Sequence, residues 1–245
     1  MASHAHVDHV GALDPILSSG SPVLASVVTV YRSVDGWNAD RRWLDRYHTA
    51  INNLGAAVKE VTLRDAHREV ELAPNVVAHL FAGSGDGPYT ALFMQLRYHS
   101  ARLLFTSDAH CQYEIEQLEA VGDPDFRADV LKVTHHGSSS GTALRTVRSA
   151  RHAFAIASTG DDAGHRLEQD TLERLTDGNP RRRVFEKRWS TETSSCEPMD
   201  NRIEVVCSIG STSIRPANLL PGSMPRSYRP TRSGAPAQTM QGAAD

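Results

Sequence analysis

Four metal-type side chains fall within six consecutive positions near the start of the chain, as His4-Ala-His6-Val-Asp8-His9, with Gly11 close behind. Imidazole and carboxylate are the ligands that zinc and neighbouring first-row metals prefer. On an extended segment alternate side chains share a face, so His4 and His6 can grip one ion. Asp8 and His9 are adjacent, and on a turning backbone they can face a second ion beside the first. The competing explanation is a chance His-rich terminus or the scar of a purification tag. Tags are usually homopolymeric runs, whereas here an Asp is interleaved and a Gly follows.

Beyond this cluster the chain alternates strand and helix patterns. Asp14 to Leu17 starts a short helix that the Ser- and Pro-rich stretch 18–22 breaks. Val23 to Tyr31 is apolar and β-branched, as a buried strand requires. Asn38 or Asp40 caps a helix whose Trp43, Leu44, Tyr47, Ile51 and Leu54 share one face, and Gly55 ends it. Strands are expected at Val58–Leu63, Glu69–Leu72 and Asn75–Phe81, then a hairpin of Ala91–Leu96 with Arg102–Thr106.

The second arm of that hairpin runs into Ser107-Asp108, and a helix follows with Ile115, Leu118 and Val121 at helical spacing. Asp129 to Val133 is a strand leading into Thr134-His135-His136-Gly137-Ser138. Helix Ala143–Ala150, strand Ala153–Ser158, a polar loop ending at His165, and helix Leu167–Thr176 come next. Strands at Arg183–Arg188 and Arg202–Ile209 complete one α/β domain, taken as residues 1–215. Residues 216–245 are rich in Pro, Ser and Gly and are expected to be a disordered tail.

Composition narrows the partners. A net charge of −3 argues against binding nucleic acid through a global positive field, although Arg181, Arg182 and Arg183 offer a local basic rim. Cys111, Cys196 and Cys207 have no zinc-knuckle or disulfide spacing. No apolar run approaches the ~20 residues needed to span a bilayer, and no signal-peptide pattern is visible. The expectation is a soluble, cytoplasmic protein.

Asp108, His135, His136 and His165 all fall at predicted strand ends or in the loops after them, where α/β enzymes collect their site residues. Each alone is weak, since an Asp after a strand is usually a helix cap. With the opening cluster they supply enough ligands for two ions. In this order the motifs resemble the metallo-β-lactamase fold hydrolases, and more narrowly the hydrolase domain of ComEC-type competence proteins. The resemblance rests on His4-Ala-His6-Val-Asp8-His9, Leu103-Leu-Phe-Thr-Ser-Asp108, Val133-Thr-His135-His136-Gly137-Ser138 and Gly164-His165, and covers residues 1–210.

The resemblance implies a four-layer αββα sandwich with two divalent cations, zinc first and manganese second. It places His4 and His6 on the first metal, Asp8, His9 and His165 on the second, and Asp108 between them. It makes Asp8, His135 and His136 the catalytic set: Asp8 orients a bridging hydroxide, and the two histidines contact the substrate. That substrate would be a phosphodiester or nucleic-acid-like molecule. The alternative is a non-catalytic metal-binding remnant or interaction module.

The chain also departs from the pattern. Ser107 replaces a Gly, Arg166 replaces a Pro, and no third first-metal histidine is evident, with His79 ranked ahead of His67 and His99 as a substitute. The fold normally has strands before its His-x-His-x-Asp-His loop, so a truncated or mis-started domain lacking those strands is expected. A soluble end of a longer membrane protein is a further alternative.

Overall fold

The computed structural model describes residues 3, 4, 6, 9, 29–33, 41–53, 59–63, 66–82, 91–122, 126–160, 166–179, 181–189, 203–208 and 211–216. Asp8, His165, the predicted helix start at 14–17, positions 23–28 of the first predicted strand and the tail beyond 216 lie outside the described residues.

The first described unit pairs β1 (Thr29–Ser33) in parallel with β2 (Lys59–Leu63), and α1 (Arg41–Asn53) lies between them in sequence. Parallel neighbours need such a crossover because a tight turn cannot reverse the chain twice. The helical spacing seen in the sequence holds for Tyr47, which is buried together with Ala50.

The main sheet has seven strands in sequential order: β3 (Ala66–Ala73), β4 (Val76–Ala82), β5 (Phe93–Tyr98), β6 (Ala101–Phe105), β7 (Val130–Lys132), β8 (Phe154–Gly160) and β9 (Arg183–Trp189). From β3 to β6 the pairing is antiparallel, and from β6 to β9 it is parallel. Two-residue hairpin turns call for positive φ. Asn75 (φ 64) supplies it between β3 and β4, and His99 (φ 50) between β5 and β6. In the parallel half the crossovers carry α2 (Cys111–Val121), α3 (Leu144–Ala150) and α4 (Gln169–Thr176).

Period-two alternation sends neighbouring side chains of β4 to opposite faces. Ala78, Leu80 and Ala82 join Leu63 and Leu92, with Tyr31 and Val61 packed against them, so the β1–β2 pair covers that face. On the other face Phe81, Phe93, Leu104, Leu131 and Val133 pack against Tyr113 and Leu118 of α2, Val147 and Ala150 of α3, and Leu175 of α4. β7 is short and buried because it lies between two parallel neighbours beneath the helices. This is the mixed α/β layering predicted from the sequence, with helices on one side of a large sheet. Strand β10 (Ile203–Ser208) matches the last predicted strand. A further strand, β11 (Ser211–Pro216), pairs with it as a hairpin that the polar sequence did not announce. No helix among the described residues is long and apolar enough to cross a membrane.

His152, just after α3, is 2% exposed. Burial, and secondarily the positive field of Arg182, pull its imidazole down to about 4. The unfolded chain takes up that proton near pH ~6.5, whereas the fold resists it until about pH 4. This part of the stability is therefore complete above pH ~6.5 and is lost as the pH falls through that window. The expected loss by pH 4 is about 3 kcal/mol. Urea unfolding of wild type and His152→Leu at pH 7 and pH 4, both in chelator, checks it: the wild type should lose about 3 kcal/mol more than the variant.

Candidate metal centre

Strands β6, β7 and β8 run parallel, so their carboxyl ends open onto one edge of the sheet, and loops at that edge converge. After β6 the chain turns through Ser107 (φ 52) and presents Asp108, which is 5% exposed. Three imidazoles point their Nε2 atoms at Asp108 Oδ2: His9 at 3.2 Å, His136 at 3.5 Å and His4 at 3.6 Å. Burial pushes the Asp108 carboxyl up. Hydrogen bonds from His136 and His9, and the charges of His9 and His4, outweigh burial and hold it far below the usual carboxylate range. The pocket is built to keep this group ionised.

The opening segment is fastened by Ser3. Its carbonyl accepts from the Leu92 amide (3.3 Å), and its hydroxyl lies 3.2 Å from His4 Nδ1 and 3.0 Å from His9 Nδ1. Ser107 Oγ also reaches His4 Nδ1 at 3.2 Å. Fixing Nδ1 in this way turns Nε2 inward, which is how metal-binding histidines are usually oriented. The Ser107 that stands where a Gly was expected therefore tolerates a left-handed backbone and adds a hydroxyl to the site. His6 completes the segment, with its Nδ1 3.0 Å from His4 Nε2 and the two ring centroids 4.5 Å apart.

His4, His9 and Asp108 each offer one ligand atom, and these atoms lie within 4.8 Å of one another. Two imidazole nitrogens and one carboxylate oxygen form a zinc-type donor set. Ligand atoms around one tetrahedral ion stand roughly 3.3 Å apart, given metal–nitrogen bonds of ~2.0–2.1 Å. The separations from Asp108 match that spacing, so the residues present fit a divalent cation.

The second loop begins at the end of β7, where Thr134–Gly137 form a 3₁₀ turn. His135 (φ 48), His136 (φ 55) and Gly137 (φ 97) all sit at positive φ, which costs about 1–2 kcal/mol for each non-glycine residue. That strain re-aims both histidines away from the strand direction. His136 donates Nδ1–H to the Ser158 carbonyl (2.9 Å), which leaves Nε2 toward Asp108. His135 sets Nδ1 3.0 Å from Ser140 Oγ, and its ring stacks on His110 at 5.7 Å. Burial holds the His135 imidazole below its ordinary range, against the raising effect of Asp108.

Among the sequence-predicted residues, the structure thus brings His4, His6, His9, Asp108 and His136 together, with His135 beside them. Asp8 and His165 lie outside the described residues. The substitutes for a third first-metal histidine do not serve. His79 faces Glu69 across the β3–β4 ladder and Phe81 on its own strand, His67 packs edge-on to Phe81, and His99 packs on Tyr98 in a turn. Sequence reasoning missed Ser3, Ser158 and His110, and took Ser107 only as a replacement for a Gly. Serines carry no distinctive spacing, and His110 could have been found only from its position two residues after Asp108.

A sequence model of the family described as the metallo-beta-lactamase superfamily matches residues 1–185. The chain belongs to that superfamily. Metallo-beta-lactamase superfamily members are mostly hydrolases and typically bind divalent metals, in keeping with the donor set above. One similar solved structure is the metallo-beta-lactamase fold protein YhfI from Bacillus subtilis, at 14% identity and a TM-score of 0.40, covering 77% of this chain and 72% of that one. Another is the short form of human tRNase Z, at 10% identity and a TM-score of 0.38, covering 63% and 70%. No curated protein matches the chain.

Proposed function

We propose that the chain is a metal-dependent hydrolase, ComEC-like, acting on a phosphodiester or nucleic-acid-like substrate. The observation that carries this reading is the buried Asp108 carboxylate, faced by imidazole nitrogens at 3.2–3.6 Å in the loops of a metallo-beta-lactamase superfamily domain. In this proposal His4, His6, His9 and Asp108 hold the cations, Asp8 and His165 complete the set, and residues 1–215 are the working unit. Zinc is the proposed native ion, with manganese next.

A divalent cation bound there supplies Lewis acidity, which activates water and draws charge from a phosphoryl oxygen. The chain's own residues do the rest. Ser3 and Ser107 keep the His4 and His9 rings turned inward, which preorganises the ligands. His136 is fixed by Ser158 at the edge of Asp108, and His135 lies beside it on the Ser140 side. A substrate oxygen entering between these two imidazoles meets a ring nitrogen suited to hydrogen bonding or proton delivery. The ComEC-type assignment and the phosphodiester preference rest on the His135-His136-Gly137-Ser138 motif and its order after Asp108.

Metal analysis of the purified chain, followed by an assay with bis(p-nitrophenyl) phosphate, tests the reading. The expected result is about two equivalents of zinc or manganese, with hydrolysis that a chelator removes and the metal restores. Substoichiometric metal without hydrolysis would replace the enzyme with a non-catalytic remnant.

A further inference from the structure

We propose that Glu114 and Arg174 are positioning residues that jointly clamp the loop carrying His135 and His136 in register with Asp108. This rests on the reading of those histidines as site residues. Glu114 lies on α2 and is fully buried. Its Oε1 accepts from the Thr134 hydroxyl and from the Thr142 amide (3.0 Å), and its Oε2 accepts from the Ala143 amide (2.6 Å). Arg174 lies on α4 and grips the same loop through its carbonyls. Nε donates to Thr142 O (2.9 Å), and Nη2 donates to Ser139 O (2.9 Å) and Gly141 O (3.0 Å).

The loop is thus held on its amides by a buried carboxyl group and on its carbonyls by a guanidinium. Thr142 is held at both ends, and its φ of 57 is a backbone state that needs such support. Glu114 also reaches the Asp108 loop. Thr134, the residue before His135, sits with its hydroxyl 2.5 Å from that of Thr106, two residues before Asp108. The His135 amide donates to Ser107 O (3.0 Å), so the two site loops are fastened backbone to backbone as well. Burial pushes the Glu114 carboxyl up and the donors of Thr134, Ala143, Thr146 and Thr142 pull against it, so a buried polar group is tolerated here only while these partners stay in place.

The test uses the full chain with Glu114→Gln and Arg174→Lys. The Gln amide must turn an NH₂ toward an N–H donor, and the Lys ammonium lacks the planar fork. In metal-free protein, hydrogen exchange at the His135 and Ser138 amides, neither of which bonds Glu114, should quicken about tenfold or more. Exchange at the Val133 amide, which donates to Ile156 O just past β7, should be unchanged, and the His135 and His136 imidazole nitrogen signals should shift. The double variant should exchange no faster than the faster single, because both residues hold one loop. In zinc-loaded protein, kcat should fall about tenfold with bound zinc and KM unchanged.

A folded Glu114→Gln chain with wild-type exchange at His135 and Ser138 overturns the clamp, as do additive effects in the double variant. If Glu114→Gln does not fold, the half-buried Arg174→Lys decides by the same exchange readout. The exchange arm judges the clamp even if the chain hydrolyses nothing, so its failure is distinct from failure of the proposed function.

Discussion

Asp108→Ala is expected to strip the chain of tightly held metal and to lower phosphodiester hydrolysis on the order of a thousandfold. The carboxylate is the point on which His4, His9 and His136 converge, and no other acid among the described residues shares that cluster. Without it, three inward-facing imidazoles keep their orientation but lose the anion that balances a cation's charge. Asp108→Asn keeps the shape and removes the charge, so it separates electrostatics from packing. Zinc titration by calorimetry, beside the hydrolysis assay, reads both effects. Wild-type metal affinity in Asp108→Ala would place the metal elsewhere.

Gly137→Ala should be the most damaging single methyl group in the site. A Cβ there would stand 2.7 Å from Leu167 Cδ1 and 2.9 Å from Leu167 Cα, and the φ of +97 already excludes an ordinary L-residue. The Leu167 side chain can rotate away, but its backbone is held by the Glu168 amide donating to Gly137 O (3.0 Å). Overpacking and backbone strain together are expected to cost about 2–4 kcal/mol. Hydrolysis should fall further than the folded fraction does, because relief of the clash moves His136. Gly178 is the internal control: it also has positive φ (+68), but a Cβ there meets nothing within 4 Å. Gly178→Ala should cost only about 1 kcal/mol. Urea unfolding of the two variants side by side measures the difference, and equal costs would refute the packing argument.

The layered α/β fold was legible because its signals are local and periodic. The apolar face that buries Tyr47, the strand expected at Asn75–Phe81 and the strand-to-helix rhythm from Ala101 to Thr176 all survive in the structure. Candidate site residues were legible because imidazoles and a carboxylate at strand ends are rare enough to notice. Their convergence on Asp108 came only from the family resemblance, and the ring contacts that produce it were not legible. Reading His4 with His6 follows from their spacing, whereas the observed approach of His4 and His9 to Asp108 depends on how Ser3 and Ser107 turn two rings. Glu114 and Arg174 look like ordinary surface charges of amphipathic helices. Only the long-range fold reveals that one is buried and both hold a loop. β11 escaped because Ser211 to Pro216 lacks apolar alternation, and its register comes from its partner strand.

The anchoring of Ser3 has a practical bearing on how metal occupancy is measured. Ser3 and His4 are both buried, at 7% and 2% exposure, and the Ser3 hydroxyl touches the Nδ1 atoms of two inward-facing imidazoles. Extra histidines introduced next to this segment would bring rival imidazoles to the very carboxylate whose occupancy is to be measured. A polyhistidine handle therefore belongs away from Ser3, where it cannot report its own nickel chemistry.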